Sequence, residues 1–217
     1  MATDWWGKPP YWGATNSQRW IQVDIDFTAI GRNRPVDVPV RADIVPFIRD
    51  LQSQILPQRH QMPFDHRRKQ LASLHKTCNN CLDALEVHLD DRIPMSSAHV
   101  AHICRDVFPE DAILVIDGGN TSIWAHFFHE VQTPNTIVGT FKMGMLGAGV
   151  SQALGAQIAH PDRQIYVIIG DGAMAFHQQE VETAVRNNLP VIYLVVCDKQ
   201  WGMVKMNQQF AINPLKT

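Results

Sequence analysis

Asp171 and Asp198 are the side chains of this sequence whose type and setting are best suited to chemistry. Asp171 lies between Gly170 and Gly172 at the end of an apolar run, residues 165–169, and Asp198 follows a second apolar run, residues 191–196. Glycine on both sides of an acid lets backbone approach a ligand closely. Two carboxylates facing one phosphate would repel it unless a cation lay between them. Mg²⁺ suits that gap, because it takes one or two carboxylates and completes its octahedron with phosphate oxygens and water. A helix beginning near Ala173 would aim N–H groups at the same place. The plain structural alternative is one acid capping a helix and another in a turn. A GDG motif alone does not choose between the two.

The elements around these acids sharpen the choice. Short β-branched runs bounded by turn signals read as buried parallel strands. Between them, Phe176, Val181, Ala184 and Val185 fall near helical spacing. The unit is therefore strand–helix–strand, and both acids fall just past the carboxyl ends of strands in one sheet, where open α/β sheets bind ligands. Upstream, residues 112–116 form another buried strand, ending at Asp117-Gly118-Gly119-Asn120-Thr121 before a helix that contains Trp124. The segment 140–159, with Gly144, Gly147, Gly149 and Gly155, starts a helix close to a ligand or a sheet.

Nearer the N-terminus, strands are expected at residues 21–26 and 36–40, and Asp43 caps a helix that reaches about Leu56. Residues 57–63, with two prolines and no apolar period, read as a linker. Helices are expected over residues 65–89 and from Ser96 or Ser97 to about Phe108. Residues 1–20, rich in Trp, Gly and Pro, read as an irregular segment that packs its aromatic rings on a neighbour.

GDG, a helix, a strand and a second acid about 27 residues after the first together resemble the motif of thiamine-diphosphate-dependent enzymes. The string Asp198-Lys199-Gln200-Trp201-Gly202-Met203 is similar to the acetolactate synthase-like branch, although that branch has Asn-Asn or Asn-Asp where this chain has Cys197-Asp198. Residues 140–159 resemble the same family, and residues 21–44 are similar to the end of its central domain. The resemblance implies an α/β fold: a doubly wound, mostly parallel sheet flanked by helices, preceded by part of a nucleotide-fold domain. Residues 1–57 would then be the C-terminal part of the central domain. Residues 58–217 would be the diphosphate-binding domain, stopping short of its usual end.

The same resemblance implies roles. Asp171, Asp198 and the Gln200 carbonyl would hold Mg²⁺ on the cofactor diphosphate. Gly170, Asp171, Gly172, Ala173, Asn120 and Thr121 would cradle the diphosphate. Met143 would prop the bent cofactor, the Phe141 carbonyl would accept from its 4′-amino group, and Met203 would face substrate. The family usually has glycine at the position of Phe141. The activating Glu belongs to a separate pyrimidine-binding domain, and Glu180 matches a structural position. Implied partners are a small 2-keto acid and a pyrimidine-binding domain or second subunit, within an oligomer. A non-catalytic binding or assembly module is the alternative from another class.

Other readings are weaker. Net charge is −2, with Lys+Arg 19 against Asp+Glu 21, which gives no footprint for nucleic acid or an anionic membrane. The basic run His66-Arg67-Arg68-Lys69 reads as a solvated helix face. No long apolar run or signal-peptide pattern is present, so a soluble, cytoplasmic chain is expected. Cys78 and Cys81 lie within a helical pattern, without the second ligand pair of a zinc site or the preceding strand of a redox motif. A dinucleotide site at Gly147-x-Gly149-x-x-Gln152 lacks the third glycine and the ribose-binding acid.

Overall fold

A computed structural model of the chain describes residues 17–61, 64–84, 86, 93–140 and 143–211. The chain divides into two compact units, residues 1–73 and residues 74–217. In that first unit, β1 (Ile21–Asp24) pairs in parallel with β2 (Val38–Arg41). Helix α1 (Ile44–Ile55) starts where the Asp43 carboxylate accepts the Val45 N–H at 2.8 Å. Residues 56–61 continue as a 3₁₀ helix instead of the expected open linker. Leu56 is already in the right-handed helical region, and Pro57 has the fixed φ that suits a first helical turn. Helix α2 spans Phe64–Asp83 and carries Cys78 and Cys81, both exposed.

The second unit is a three-layer α/β/α arrangement. Its elements run α3 (Ser97–Val107), β3 (Ile113–Asp117), α4 (Asn120–Phe128), β4 (Ile137–Gly139), α5 (Ala148–Ala159), β5 (Ile165–Gly170), α6 (Asp171–His177), α7 (Glu180–Arg186), β6 (Ile192–Val196) and α8 (Gly202–Ala211). The four strands are parallel, in the order β4-β3-β5-β6. From β3 the chain steps one way to β4, then crosses back to β5 on the other side. The β3–β5 boundary is thus the switch point of the sheet, the place where such sheets open a crevice beyond their carboxyl ends.

Strand periodicity explains the two faces. Ile113, Val115, Ile165, Val167 and Ile169 pack with Val150 and Ala153 of α5. The alternate residues Leu114, Ile116, Tyr166 and Ile168 pack with Cys104 of α3 and Ala125 of α4. Burial on both sides accounts for continuous apolar runs in place of the alternation of a one-sided sheet. The same burial pushes the Cys104 thiol up to about 11, so it behaves as an inert core residue. The helix expected to follow Gly172 starts at Asp171 and divides in two. At the junction, Val181 and Glu182 donate to the Gln178 and Gln179 carbonyls, a tighter i to i+3 pattern that lets α7 take a new direction. Among the described residues no helix is long and apolar enough to cross a membrane.

Ile168 is 2% exposed in the middle of β5, whereas Val195 on β6 is 44% exposed. Ile168→Ala should cost about 2–5 kcal/mol in urea unfolding, and Val195→Ala distinctly less.

Burial, with a smaller contribution from His126, depresses the His129 pKa below its ordinary 6.5. The unfolded chain takes up that proton at a higher pH than the folded chain does. The stabilising share of His129 is therefore complete above pH 6.5 and lost as pH falls through the folded value. His129→Gln should flatten the thermal midpoint profile between about pH 7 and pH 5.

Candidate functional site

Pairing of β3 with β5 puts Asp117 opposite Ile169, so the turns that leave these strands emerge side by side. Gly118 has φ +103°, and a Cβ there would stand 3.0 Å from the Gly170 backbone nitrogen. Only glycine meets both demands without displacing main chain. Gly119 caps α4 and Gly170 caps α6, in each case with no side-chain hydrogen bond to the first turn. Helices α1 and α3, which start elsewhere, are capped by Asp43 and Ser96. The start of α4 thus lacks a capping side-chain oxygen that would compete with a bound anion, whereas in the first turn of α6 the Asp171 side chain itself takes up one N–H.

These turns border one cleft of ≈ 260 Å³. Its lining includes the expected Asn120, Thr121, Gly170, Asp171, Gly172, Ala173, Asp198, Gln200 and Met203. The Asp171 carboxylate accepts the Gly172 N–H at 2.8 Å through one oxygen. Its other oxygen accepts the Lys199 N–H at 3.2 Å and the Cys197 thiol at 3.3 Å. The tip of β6 is thereby tied to the tip of β5. Lys199 takes φ 57°, a left-handed conformation that a non-glycine residue adopts at some cost, and one that gathers at functional sites. Asp198 accepts the Gln200 N–H at 3.1 Å, and the Gln200 side-chain oxygen accepts from Lys205 at 2.8 Å.

A Cβ on Gly202 would lie 2.6 Å from Asp198 Oδ2 and 2.9 Å from Asn120 Nδ2. These two polar groups therefore converge over Gly202, which lets β3 and β6 tips share one spot. A Cβ on Gly119 would lie 2.6 Å from Met203 Cβ, so α8 begins against the start of α4. Two carboxylates on one cleft, with lone pairs left on Asp171 Oδ1 and on both oxygens of Asp198, match what Mg²⁺ needs when phosphate and water complete its shell. Among the described residues no group of three or more His, Cys, Asp or Glu side chains forms a closed metal cage.

One expected position is not brought into the lining: Met143 is 82% exposed, and the same segment lines the cleft through Gly144 and Leu146 instead. Phe141 lies outside the described residues. Trp201, Gly202 and Asn207 line the cleft without having been singled out from sequence. The glycine of the Trp-Gly-Met string was the available signal for Gly202.

Asp117 is the residue that sequence reasoning passed over. It is 4% exposed, and its two carboxylate oxygens accept N–H groups from Gly118 at 2.6 Å and Gly149 at 2.7 Å. Burial raises its pKa from the ordinary 3.8, against the lowering effect of the Gly149, Gly118 and Gly147 N–H groups and of His177. An acid ending a wholly apolar strand and followed by two glycines was the clue.

Residues 117–216 match the family of thiamine pyrophosphate enzymes through its C-terminal TPP binding domain, and thiamine pyrophosphate is another name for thiamine diphosphate. Residues 117–216 thus match the cofactor-binding domain of thiamine-diphosphate-dependent enzymes, and acetolactate synthases are among the proteins the chain resembles. It is 26% identical over 194 residues to pyruvate oxidase of Lactiplantibacillus plantarum, covering 89% of this chain and 31% of that one. It is 25% identical over 196 residues to acetolactate synthase isozyme 1 large subunit of Escherichia coli, covering 87% and 32%. Acetolactate synthase large subunit IlvG of Mycobacterium tuberculosis is 33% identical over 117 residues, 54% of this chain and 21% of that one. The chain spans about a third of the length of the first two relatives.

Within this chain the glycines can be separated by role. Gly118→Ala meets both a left-handed φ and backbone at 3.0 Å, whereas a Cβ on Gly155, inside α5, meets nothing within 4 Å. Chemical denaturation should show Gly118→Ala destabilised by roughly 1–3 kcal/mol. Gly155→Ala should be stabilised by about 0.5–1 kcal/mol.

Proposed function

We propose that this chain supplies the Mg²⁺-diphosphate half of a thiamine diphosphate site in an acetolactate synthase-like 2-keto acid decarboxylase or carboligase. The observation that carries the reading is the meeting of Asp171 and Asp198 on one switch-point cleft, with the Lys199 N–H bonded to the Asp171 carboxylate. Residues 1–57 are read as the C-terminal part of a central domain and residues 58–217 as the diphosphate-binding domain. A pyrimidine-binding domain or second subunit supplies the activating Glu, in a cytoplasmic oligomer.

When bound, the cofactor supplies an electron sink for loss of carbon dioxide from a 2-keto acid. The rest of the reading concerns this chain's own groups. Asp171, Asp198 and the Gln200 carbonyl hold the metal. The uncapped start of α4, with Asn120 and Thr121, and Gly170, Gly172 and Ala173 at the start of α6, hold the diphosphate. Met203, which the Gly119 contact holds at the cleft, faces substrate. Met143 and the Phe141 carbonyl serve the part of the cofactor beyond the diphosphate.

Calorimetry of the full chain with thiamine diphosphate should show saturable binding that depends on Mg²⁺. Asp171→Asn and Asp198→Asn should each weaken it by about tenfold or more, the equivalent of ~1.4 kcal/mol. Binding that ignores the metal, or no binding, would overturn the reading. Pyruvate consumption should appear only when a pyrimidine-domain chain is added, and metal-dependent binding that never supports turnover would favour the non-catalytic module.

A further inference from the structure

Asp117 is a buried carboxylate that none of the proposed metal or diphosphate contacts uses. Its Oδ2 accepts the Gly149 N–H across 32 residues of sequence, which fastens the first turn of α5 to the end of β3. Packing at that point is tight, since a Cβ on Gly149 would fall 2.6 Å from Asp117 Cβ and 3.0 Å from Oδ2. Its Oδ1 holds the Gly118 N–H at 2.6 Å, at the turn that carries Gly119 and Asn120 into the cleft. Behind the α5 turn, Gly147 takes φ +88°, and a Cβ there would stand 2.6 Å from both His177 Nδ1 and Phe176 Cβ. The turn before α5 is therefore fixed on one side by Asp117 and on the other by α6. That turn lines the cleft through Gly144 and Leu146.

We infer that Asp117 is a positioning residue, which by holding the Gly149 N–H sets the distance between the 144–147 turn and the diphosphate-binding turns. The inference rests on the proposed cofactor reading and extends it. Gly118 keeps a second restraint when Asp117 is altered, because it remains packed on Gly170 at the β3–β5 pairing. The polar tie described between the α5 turn and β3 is the Asp117 carboxylate. Loss of Asp117 should therefore disturb contacts to the part of the cofactor beyond its diphosphate more than contacts to the diphosphate. A carboxamide cannot replace the carboxylate, because both oxygens accept N–H groups and an Asn would face one of those donors with its own NH₂.

The experiment compares the full chain with Asp117→Asn by calorimetry, using two probes: thiamine diphosphate with Mg²⁺, and inorganic pyrophosphate with Mg²⁺. Asp117→Asn should lose about tenfold or more in affinity for the first probe and stay within about threefold for the second. An equal fall for both probes, or no fall for either, overturns the positioning role. A generally loosened fold would produce the equal fall. Amide hydrogen exchange of wild-type Gly149 is the second measurement, and it stands even if Asp117→Asn does not fold. Strong protection is expected, and exchange at the rate of an unstructured chain overturns the inference. If wild type binds neither probe while Gly149 is protected, the cofactor reading fails and the role in ligand positioning falls with it. Unprotected Gly149 in a chain that binds both probes sinks the Asp117 role alone.

Discussion

Parallel pairing of β3 with β5 is the constraint from which the rest of the site follows. The register from Ile113↔Ile165 to Asp117↔Ile169 leaves both strands ending at the same level of the sheet. Their exits then compete for one volume, and only glycine at 118 allows the Gly170 main chain to pass at 3.0 Å. Because the chain runs outward to β4 before returning to β5, the helices that follow these strands lie on opposite faces and diverge. The cleft is the gap that this divergence leaves. Burial of the Ile and Val side chains on both faces of β3 and β5 provides the stabilisation that tolerates uncapped helix starts and a left-handed Lys199 at the rim.

Three carboxylates near the strand ends have different surroundings, and their division of labour follows. Asp117 is closed off from water and fully engaged with main-chain N–H groups, so it organises backbone. Asp171 is half-buried at the first turn of α6, where the helix dipole favours negative charge, and its orientation is fixed by Gly172, Lys199 and Cys197. Asp198 is exposed and held through one oxygen by the Gln200 N–H. Asp171 and Asp198 line the cleft, where a cation could reach them, whereas Asp117 is buried behind it. The thiol of Cys197 adds a donor to Asp171 from the tip of β6.

Particular residues show how far the sequence could be read. The alternating faces of residues 165–169 and 112–116, the Asp43 and Ser96 caps, and the turn at Gly170-Asp171-Gly172 are local patterns, and each appears where its chemistry puts it. The split between α6 and α7 and the 3₁₀ stretch after Leu56 were not legible, because a tightened turn leaves no mark in apolar spacing. Asp117 was passed over because its partner Gly149 is remote in sequence, and a turn acid and a buried acid are spelled alike. Met143 was matched by motif, but its 82% exposure depends on how the turn lies over the cleft.

From the order of residues alone came the strand–turn–helix units, the acids that end two of them and the family they resemble, since these depend on neighbours along the chain. Which turns face one another was decided by strand order, and the sequence does not print that order. Only the folded sheet set Gly118 against Gly170, brought Asn120 and Asp198 together over Gly202, and buried Asp117 on the Gly149 N–H. Those contacts join residues far apart in sequence, and their geometry is fixed by packing, not by any local preference of the chain.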